Sequence, residues 1–450
     1  MNVMIRTILF SFAILLSNFA YASPDATTIF CQKYPNSGLC EDQAASCNVC
    51  HAGPPSLNDY GLSIKENIGG DLITNLPDAL GKIEAIDSDG DGASNLTEIE
   101  ENAHPGNADV KPGKDITVEY DRKMAFKRMK ANYCGESATY QELKGLEAAA
   151  DPKDYMHKAL DVCLASDYWV KEALHRLADN KIMPNAAIGF GGSVVIGDYR
   201  FDYRLFSYIM SGGRDARELL SADYHVDENY NKIEGTVARE EGLQLGERIV
   251  IAGGQPLEVG RRVGMITTQW FLSNNTMFAD LPRNSASQAY RAYLGLDLAK
   301  GEGLMPVPNE PRDVDNIDIA KPECAVCHST LDPLAYSFAS YRGIEIGVFD
   351  LLLNRIGTYN EGRTDWGGDG VIFGQPVQDL MEWASVARES DAFKKNLANM
   401  IFTQALSRKP FPHETAEFDA LWQGLAAENY SVNAMIHRFV EMGSFGGKIK

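Results

Sequence analysis

The chain has 450 residues, 44% of them apolar and 23% charged, and its 42 basic and 62 acidic side chains leave a formal charge of −20. That mixture excludes global disorder, and the length is enough for two or three domains with cores of their own. The acidic balance excludes a broad nucleic-acid-binding face, because too few cations remain to neutralise phosphates.

Residues 1–22 read as a secretory signal. Arg6 gives a basic start, Ile8–Leu16 an apolar middle, and Ala20-Tyr21-Ala22 a small-x-small cleavage site. The alternative is a short membrane anchor, but the apolar run is too short to span a bilayer comfortably. No later stretch is long and apolar enough to cross a membrane. The expected location is the periplasm or the exterior, where thiols oxidise.

Four of the eight cysteines fall into two copies of one pattern, Cys47-Asn48-Val49-Cys50-His51 and Cys324-Ala325-Val326-Cys327-His328. Cys-x-x-Cys-His is the attachment pattern of c-type haem. On a helical turn, residues three apart share a face. Both thiols then reach the two vinyl groups of one porphyrin, and the following histidine ligates the iron. The expected cofactors are therefore two covalent haem groups, held by Cys47, Cys50, Cys324 and Cys327, with His51 and His328 on the irons. A thioredoxin-like disulfide would need a βαβ context, which the sequence lacks. A zinc site would need a second cysteine pair at finger spacing. Cys31, Cys40, Cys134 and Cys163 remain, and three pairings are open to them. Proximity in sequence favours Cys31–Cys40 and Cys134–Cys163.

After a helix expected over 76–86, residues 87–98 fit a twelve-residue EF-hand loop. Asp87, Asp89 and Asp91 take positions 1, 3 and 5, and Gly92 takes the sharp turn at 6. Ala93 offers its carbonyl at 7, Asn95 a ligand at 9, directly or through water, and Glu98 a bidentate carboxylate at 12. Oxygen ligands with four carboxylates suit one Ca²⁺. Ser94 stands at position 8, where paired loops carry an apolar residue, so a solitary structural site is expected. The alternative is an Asp/Gly-rich surface turn.

Pro105-Gly106 and Lys111–Lys114 read as breakers that close a first unit over 23–112. Residues 115–184 have helical periodicity, with a helix ending before Pro184. Residues 185–260 read as a mixed α/β region, with candidate strands at 193–196 and 248–251 and a turn at 189–192. The second haem unit covers 261–345, and a helical module covers 346–450. There Phe393, Leu397, Met400, Ile401 and Leu406 form one apolar stripe, and Val432, Met435, Ile436, Phe439 and Val440 another. The expected fold is mainly α: two cytochrome-c-like haem units, an inserted small mixed region and a C-terminal helical module.

The sixth iron ligand separates electron transfer from catalysis. His104 is the first distal candidate for haem one, with Met124 and Met129 in reserve. For haem two the candidates are Met305, His413, His437, Met381, Met400 and Met435. His157, His175 and His225 read as surface or core residues.

The second half resembles the planctomycete-type cytochrome c proteins, which carry domains of unassigned function around one haem motif. The resemblance rests on Gly260–Thr268, Arg291–Gly295, Cys324–His328 with Ser329–Leu334, and the closing Ala405–Arg408 and Tyr430–Val432. It covers about residues 165–445 and implies a haem on Cys324, Cys327 and His328. Members of that family often carry a histidine just before the motif, but residues 313–323 hold none here. Residues 44–112 resemble small bacterial haem modules in which a calcium loop follows the motif.

The expectation that follows is an exported dihaem cytochrome passing single electrons between periplasmic or extracellular partners, which would meet this acidic chain with basic faces. A dihaem enzyme of peroxidase or oxygenase type, with one open iron, is the alternative. A haem-bearing binding module is the third reading.

Overall fold

The computed structural model describes residues 24–41, 44–45, 49–53, 56–108, 110–112, 118–182, 194–195, 198–235, 249–250, 253–276, 279–298, 302, 307–315, 317–344, 356–361 and 369–449. The expected signal peptide, Cys47, Met305 and the turn at 189–192 lie outside the described residues. The chain divides into two compact units between Asp115 and Ile116, just past the second breaker run. Helix outweighs strand throughout, as the mainly α reading anticipates.

The first unit packs α1 (Pro24–Lys33), α2 (Asp59–Asn67), α3 (Leu72–Ile83) and α4 (Asn95–Glu100) around Phe30, Tyr60, Ile64, Leu76, Leu80, Ile83 and Ile99. α3 begins and ends a few residues earlier than the periodicity suggests. Asp71 accepts the Thr74 N–H at 2.9 Å and so caps the helix six residues before Pro77. The Cys31–Cys40 disulfide, with Cα atoms 5.7 Å apart, ties the end of α1 to a two-residue hairpin (Cys40–Glu41 with Ala44–Ala45).

The second unit opens with a strand (Val118–Tyr120) and then α5 (Arg122–Met129), whose last turn widens into a π-helical turn at Lys130–Cys134. α6 (Tyr140–Ala148) starts on a capping box between Thr139 and Glu142, and α7 (Pro152–Leu164) on Asp151 with proline in its first turn. Cys134 meets Cys163 on α7 in the second disulfide, so both favoured pairings form. α8 (Leu174–Ile182) and α9 (Arg200–Ile209) follow. Val194–Val195 pairs with Ile249–Val250 as a parallel bridge.

α10 (Gln269–Phe271) and α11 (Arg283–Ala289) lead to α12 (Pro322–Ala335), which carries the second haem motif. α13 (Leu380–Glu389), α14 (Asp391–Leu406), α15 (Thr415–Gln423), α16 (Val432–Phe439) and the short α17 (Gly443–Gly446) complete the unit. The final strand, Gly447–Ile449, pairs antiparallel with Val118–Tyr120 and returns the chain to the start of the unit.

One apolar core runs through the whole second unit. It takes Phe126 and Trp169 from the first helices, Leu205 and Phe206 from α9, Trp383 from α13 and Phe439 from α16. The segment read as an inserted mixed region is thus part of this core through α9. Val432, Met435, Ile436, Phe439 and Val440 are all buried, as the second stripe requires. On α14 the buried face is Phe393, Leu397, Ala398, Ile401, Phe402 and Ala405, while Met400 and Leu406 lie at its margin.

Candidate haem and calcium sites

The second Cys-x-x-Cys-His motif occupies the first two turns of α12. Pro322 fits the opening turn because its missing N–H has no helical acceptor there. Cys324 and Cys327, three apart, share one face, with Cys324 half-buried and Cys327 exposed. His328 follows on the next position. Its Nδ1 lies 2.8 Å from Oδ1 of Asp332, one turn further along the same helix. Asp332 is fully buried, and Arg283 of α11 grips both its oxygens at 2.7 Å. Arg283 also holds Asp315, at 2.6 Å. A carboxylate held by a guanidinium fork is ionised and can only accept. His328 therefore carries its hydrogen on Nδ1 and keeps a lone pair on Nε2, the arrangement a metal-ligating histidine needs. Two thiols on one helical face and an imidazole with a free Nε2 are a donor set that fits covalent haem.

The first motif is built differently. Val49 and Cys50 lie in a turn, and His51 begins a short strand (His51–Gly53) paired with Ser56–Leu57. Among the described residues, the expected helical setting is found for the second motif only. Asn58 fastens this turn to α2. Its backbone N–H donates to the Cys50 carbonyl at 3.1 Å, its Nδ2 donates to the Val49 carbonyl at 3.0 Å, and its Oδ1 caps α2 through the Gly61 N–H at 2.8 Å. Gly61 must stay a glycine, since a Cβ there would collide with the Cys50 carbonyl oxygen. His51 Nδ1 and Tyr60 Oη are buried beside this turn and have no hydrogen-bond partner. Orphaned polar atoms next to Cys50 and His51 are what a missing polar or metal-bearing group leaves behind.

Two distal candidates have protein hydrogen-bond partners. His104 is buried, and Gly106 rests against Asn58, so the expected segment does come close to the first motif. Its Nδ1, however, accepts the Gly106 N–H at 3.3 Å. That bond braces the turn at His104. His437 has both nitrogens engaged, Nδ1 with His157 at 2.7 Å and Nε2 with Asp161 at 2.9 Å. Met129 and Met435 are fully buried in the core of the second unit. His413 keeps a buried Nδ1 without a hydrogen-bond partner, and burial lowers its pKa.

In the loop read as a calcium site, three of the expected ligands converge. Asp87, Asp89 and Asp91 bring carboxylate oxygens within 4.8 Å of one another. Asp87 folds the loop by accepting the N–H groups of Gly90 and Gly92, each at 2.8 Å, and of Asp91 at 3.1 Å. The same bonds, Gly92's foremost, hold its carboxyl below the usual range. Gly92 has φ +98°, which only glycine adopts freely. Asp89 Oδ2, Asp91 Oδ2 and both oxygens of the fully buried Glu98 have no hydrogen-bond partner. Four buried, unpartnered carboxylate oxygens are costly without a cation. Burial first, then the charges of Asp89, Asp91 and Asp87, push Glu98 up to about 8 in the metal-free chain. Lys111 alone supplies local positive charge among the described residues, donating to the Asp91 carbonyl with Nζ 3.9 Å from Asp91 Oδ2.

Asn95 ties the loop to its neighbours. Its Oδ1 accepts the Ser88 N–H at 3.3 Å, and its Nδ2 donates to the Ile83 carbonyl at 2.8 Å and the Ser88 hydroxyl at 2.9 Å. These bonds assign it to holding the loop on the end of α3. Ala93 donates its N–H to Asp91 Oδ1 at 2.8 Å, which sets the chain direction at position 7.

Sequence reading passed over Asp332 and Arg283. The spacing His328-x-x-x-Asp332 was a visible signal, because residues four apart on a helix meet. Arg283 had none, since it arrives from another helix. Among the described residues no helix is long and apolar enough to cross a membrane. Compared with known protein families, curated proteins and solved structures, the chain matches none.

Proposed function

We propose that the chain is an exported redox protein carrying two covalent haem groups and one Ca²⁺. The observation that carries this reading is His328, which stands directly after two thiols on one helical face with its Nδ1 hydrogen fixed by the buried Asp332. Cys324 and Cys327 would form the thioethers of the second haem and His328 would ligate its iron. Cys47, Cys50 and His51 would serve the first. The haem groups would supply a one-electron iron couple.

The protein's own residues do the rest. Arg283 holds both oxygens of Asp332. Asp332 holds the His328 hydrogen on Nδ1 and orients the ring. Asn58 fixes the backbone before His51. Asp87, Asp89, Asp91 and Glu98 would bind Ca²⁺ and stiffen the end of the first unit. Single-electron transfer between basic-faced partners is the main function proposed. The two disulfides are consistent with an oxidising compartment.

Asp332 favours a second reading. A buried carboxylate behind His328 would make that histidine a more basic ligand, a setting that would suit a haem enzyme as well as a carrier. An enzyme of peroxidase or oxygenase type would leave the second iron open on its other side. Ferric EPR with cyanide, and the reduced protein with CO, separate the two. Low-spin irons that ignore both ligands support the carrier, and a high-spin iron that binds CO supports the enzyme.

A further inference from the structure

A depression of about 550 Å³ opens between α8, α9 and the hairpin of His225–Val226 with Lys232–Ile233. Its walls are aromatic. Tyr203 of α9 lies against His175 of α8, with ring centroids 4.9 Å apart, and Tyr199 meets Tyr203 edge-on at 5.9 Å. The Tyr203 hydroxyl donates to Asp179 at 2.6 Å, which fixes the ring. Tyr230 arrives from the hairpin turn. Its φ is +62°, in the left-handed region that a bulky residue enters only under constraint. Asp227 supplies the constraint. Its carboxylate accepts the N–H groups of Asn229 at 2.9 Å and of Asn231 at 2.8 Å, closing the turn around Tyr230. The Tyr230 hydroxyl then lies 3.1 Å from that of the buried Ser207 and 3.5 Å from Nε2 of His175. Backbone strain of this kind clusters where a side chain is placed to clamp a ligand.

Three cations border the depression. Lys171 is paired with Asp167 at 2.9 Å, and Arg200 with Asp198 at 2.7 Å. Arg204 is half-buried, and its guanidinium lies over the Phe201 ring with no carboxylate partner among the described residues. Glu228 stands exposed on the rim.

We propose that this depression binds a small aromatic monocarboxylate. The planar fork of Arg204 takes the carboxylate, whose two oxygens it matches. The ring of the ligand packs against Tyr203, His175 and Tyr230, where aromatic pairs add to the gain from burial. Glu228 repels a second negative charge and so sets the preference for a single acid group. The volume falls within the range of small-molecule sites, ~300–1,000 Å³, and accommodates one substituted ring. The site shares no residue with either haem motif or the calcium loop, and the proposal does not depend on the haem reading.

The test is calorimetric titration of the full-length protein, loaded with haem and Ca²⁺, with benzoate, while the haem absorption bands are followed in parallel. One benzoate per chain is expected, with a Kd of about 1 mM or tighter and no change in the haem bands. Arg204→Gln is expected to bind at least about tenfold more weakly. Tyr230→Asn, which suits the left-handed backbone but lacks the ring, is expected to bind more weakly too. Cyclohexanecarboxylate, which has the charge without the π-face, and phthalate, which has two carboxylates, are expected to bind less tightly than benzoate. A crystal of the unmutated protein soaked in benzoate is independent of how the variants fold, and should show the carboxylate on Arg204 and the ring against Tyr203. No saturable uptake, unchanged affinity in Arg204→Gln, cyclohexanecarboxylate or phthalate binding as tightly as benzoate, or haem bands that shift with the same affinity would overturn the proposal.

Discussion

His328 and Asp332 are joined by a 2.8 Å bond within one turn of α12, and Asp332 is buried beneath the fork of Arg283. The helix therefore presents a histidine whose hydrogen and orientation are already fixed before any iron arrives. This relationship ties the Cys-x-x-Cys-His spacing to a particular chemistry.

Replacing Asp332 with Asn keeps the shape but removes the charge behind His328. The reduction potential of one haem should rise while the other stays unchanged, and the iron–histidine stretch of that haem should fall in resonance Raman spectra. Arg283→Lys, which loses the two-pronged grip but keeps the charge, should move both in the same direction by less. Unchanged values in Asp332→Asn would separate His328 from the iron.

Calcium should stabilise the first unit. A ligand that binds only the folded state adds about 2.7 kcal/mol at a hundredfold excess over its Kd. Chelation should lower the melting temperature of the unmutated protein, and Ca²⁺ should restore it. In Glu98→Gln and Gly92→Ala the calcium-dependent part should shrink or vanish. The first loses a ligand, and the second strains the turn at φ +98°. Scanning calorimetry with and without Ca²⁺ checks this.

Asp202 on α9 gives the second unit a pH dependence. It is almost fully buried, accepts the Thr268 hydroxyl on Oδ2, and has no partner for Oδ1. Burial pushes its pKa up to about 8. Between the ordinary carboxylate value and about 8 the folded chain keeps the proton and the unfolded chain has released it. Stability therefore falls as pH rises through that window, by at most about 1.4 kcal/mol per pH unit from this group, and levels off above it. Asp202→Asn should remove this component. Denaturant unfolding at pH 5 and pH 8 should show the variant gaining on the unmutated protein at the higher pH. A constant difference would contradict the assignment.

The two disulfides lie in different units, so their loss should be local. Cys134→Ser with Cys163→Ser opens a 29-residue separation and should cost ~2–4 kcal/mol in the second unit. Cys31→Ser with Cys40→Ser should weaken the first unit and leave the unfolding of the second unchanged. Circular dichroism during urea unfolding, with the two transitions resolved, distinguishes them.

Local features were legible in the sequence because their partners are near in the chain. The Cys31–Cys40 and Cys134–Cys163 pairings, the Asp87–Glu98 loop and the buried stripe of α16 are of this kind. Features that depend on tertiary packing were not. Arg283 reaches Asp332 only because α11 lies on α12. Asn132 Nδ2 donates to the Ala405 carbonyl at 3.0 Å, and the Tyr120 hydroxyl to the Val440 carbonyl at 2.6 Å, across separations of 273 and 320 residues. Periodicity shows that a helix has an apolar face but not which helix covers it. The single core of the second unit therefore stayed hidden behind four apparent segments. The hydrogen bonds of Asn95, His104 and His437 were hidden for a related reason. Each is a side chain of suitable type whose polar atoms the fold had committed to other protein groups.

The central claim is that both Cys-x-x-Cys-His motifs carry covalent haem. The most direct measurement is the pyridine haemochrome spectrum, with intact mass, of the exported full-length chain and of Cys324→Ala/Cys327→Ala. Two c-type haems per chain are expected in the first and one in the second. Fewer than two in the unmutated protein, or an unchanged number in the variant, would contradict the account.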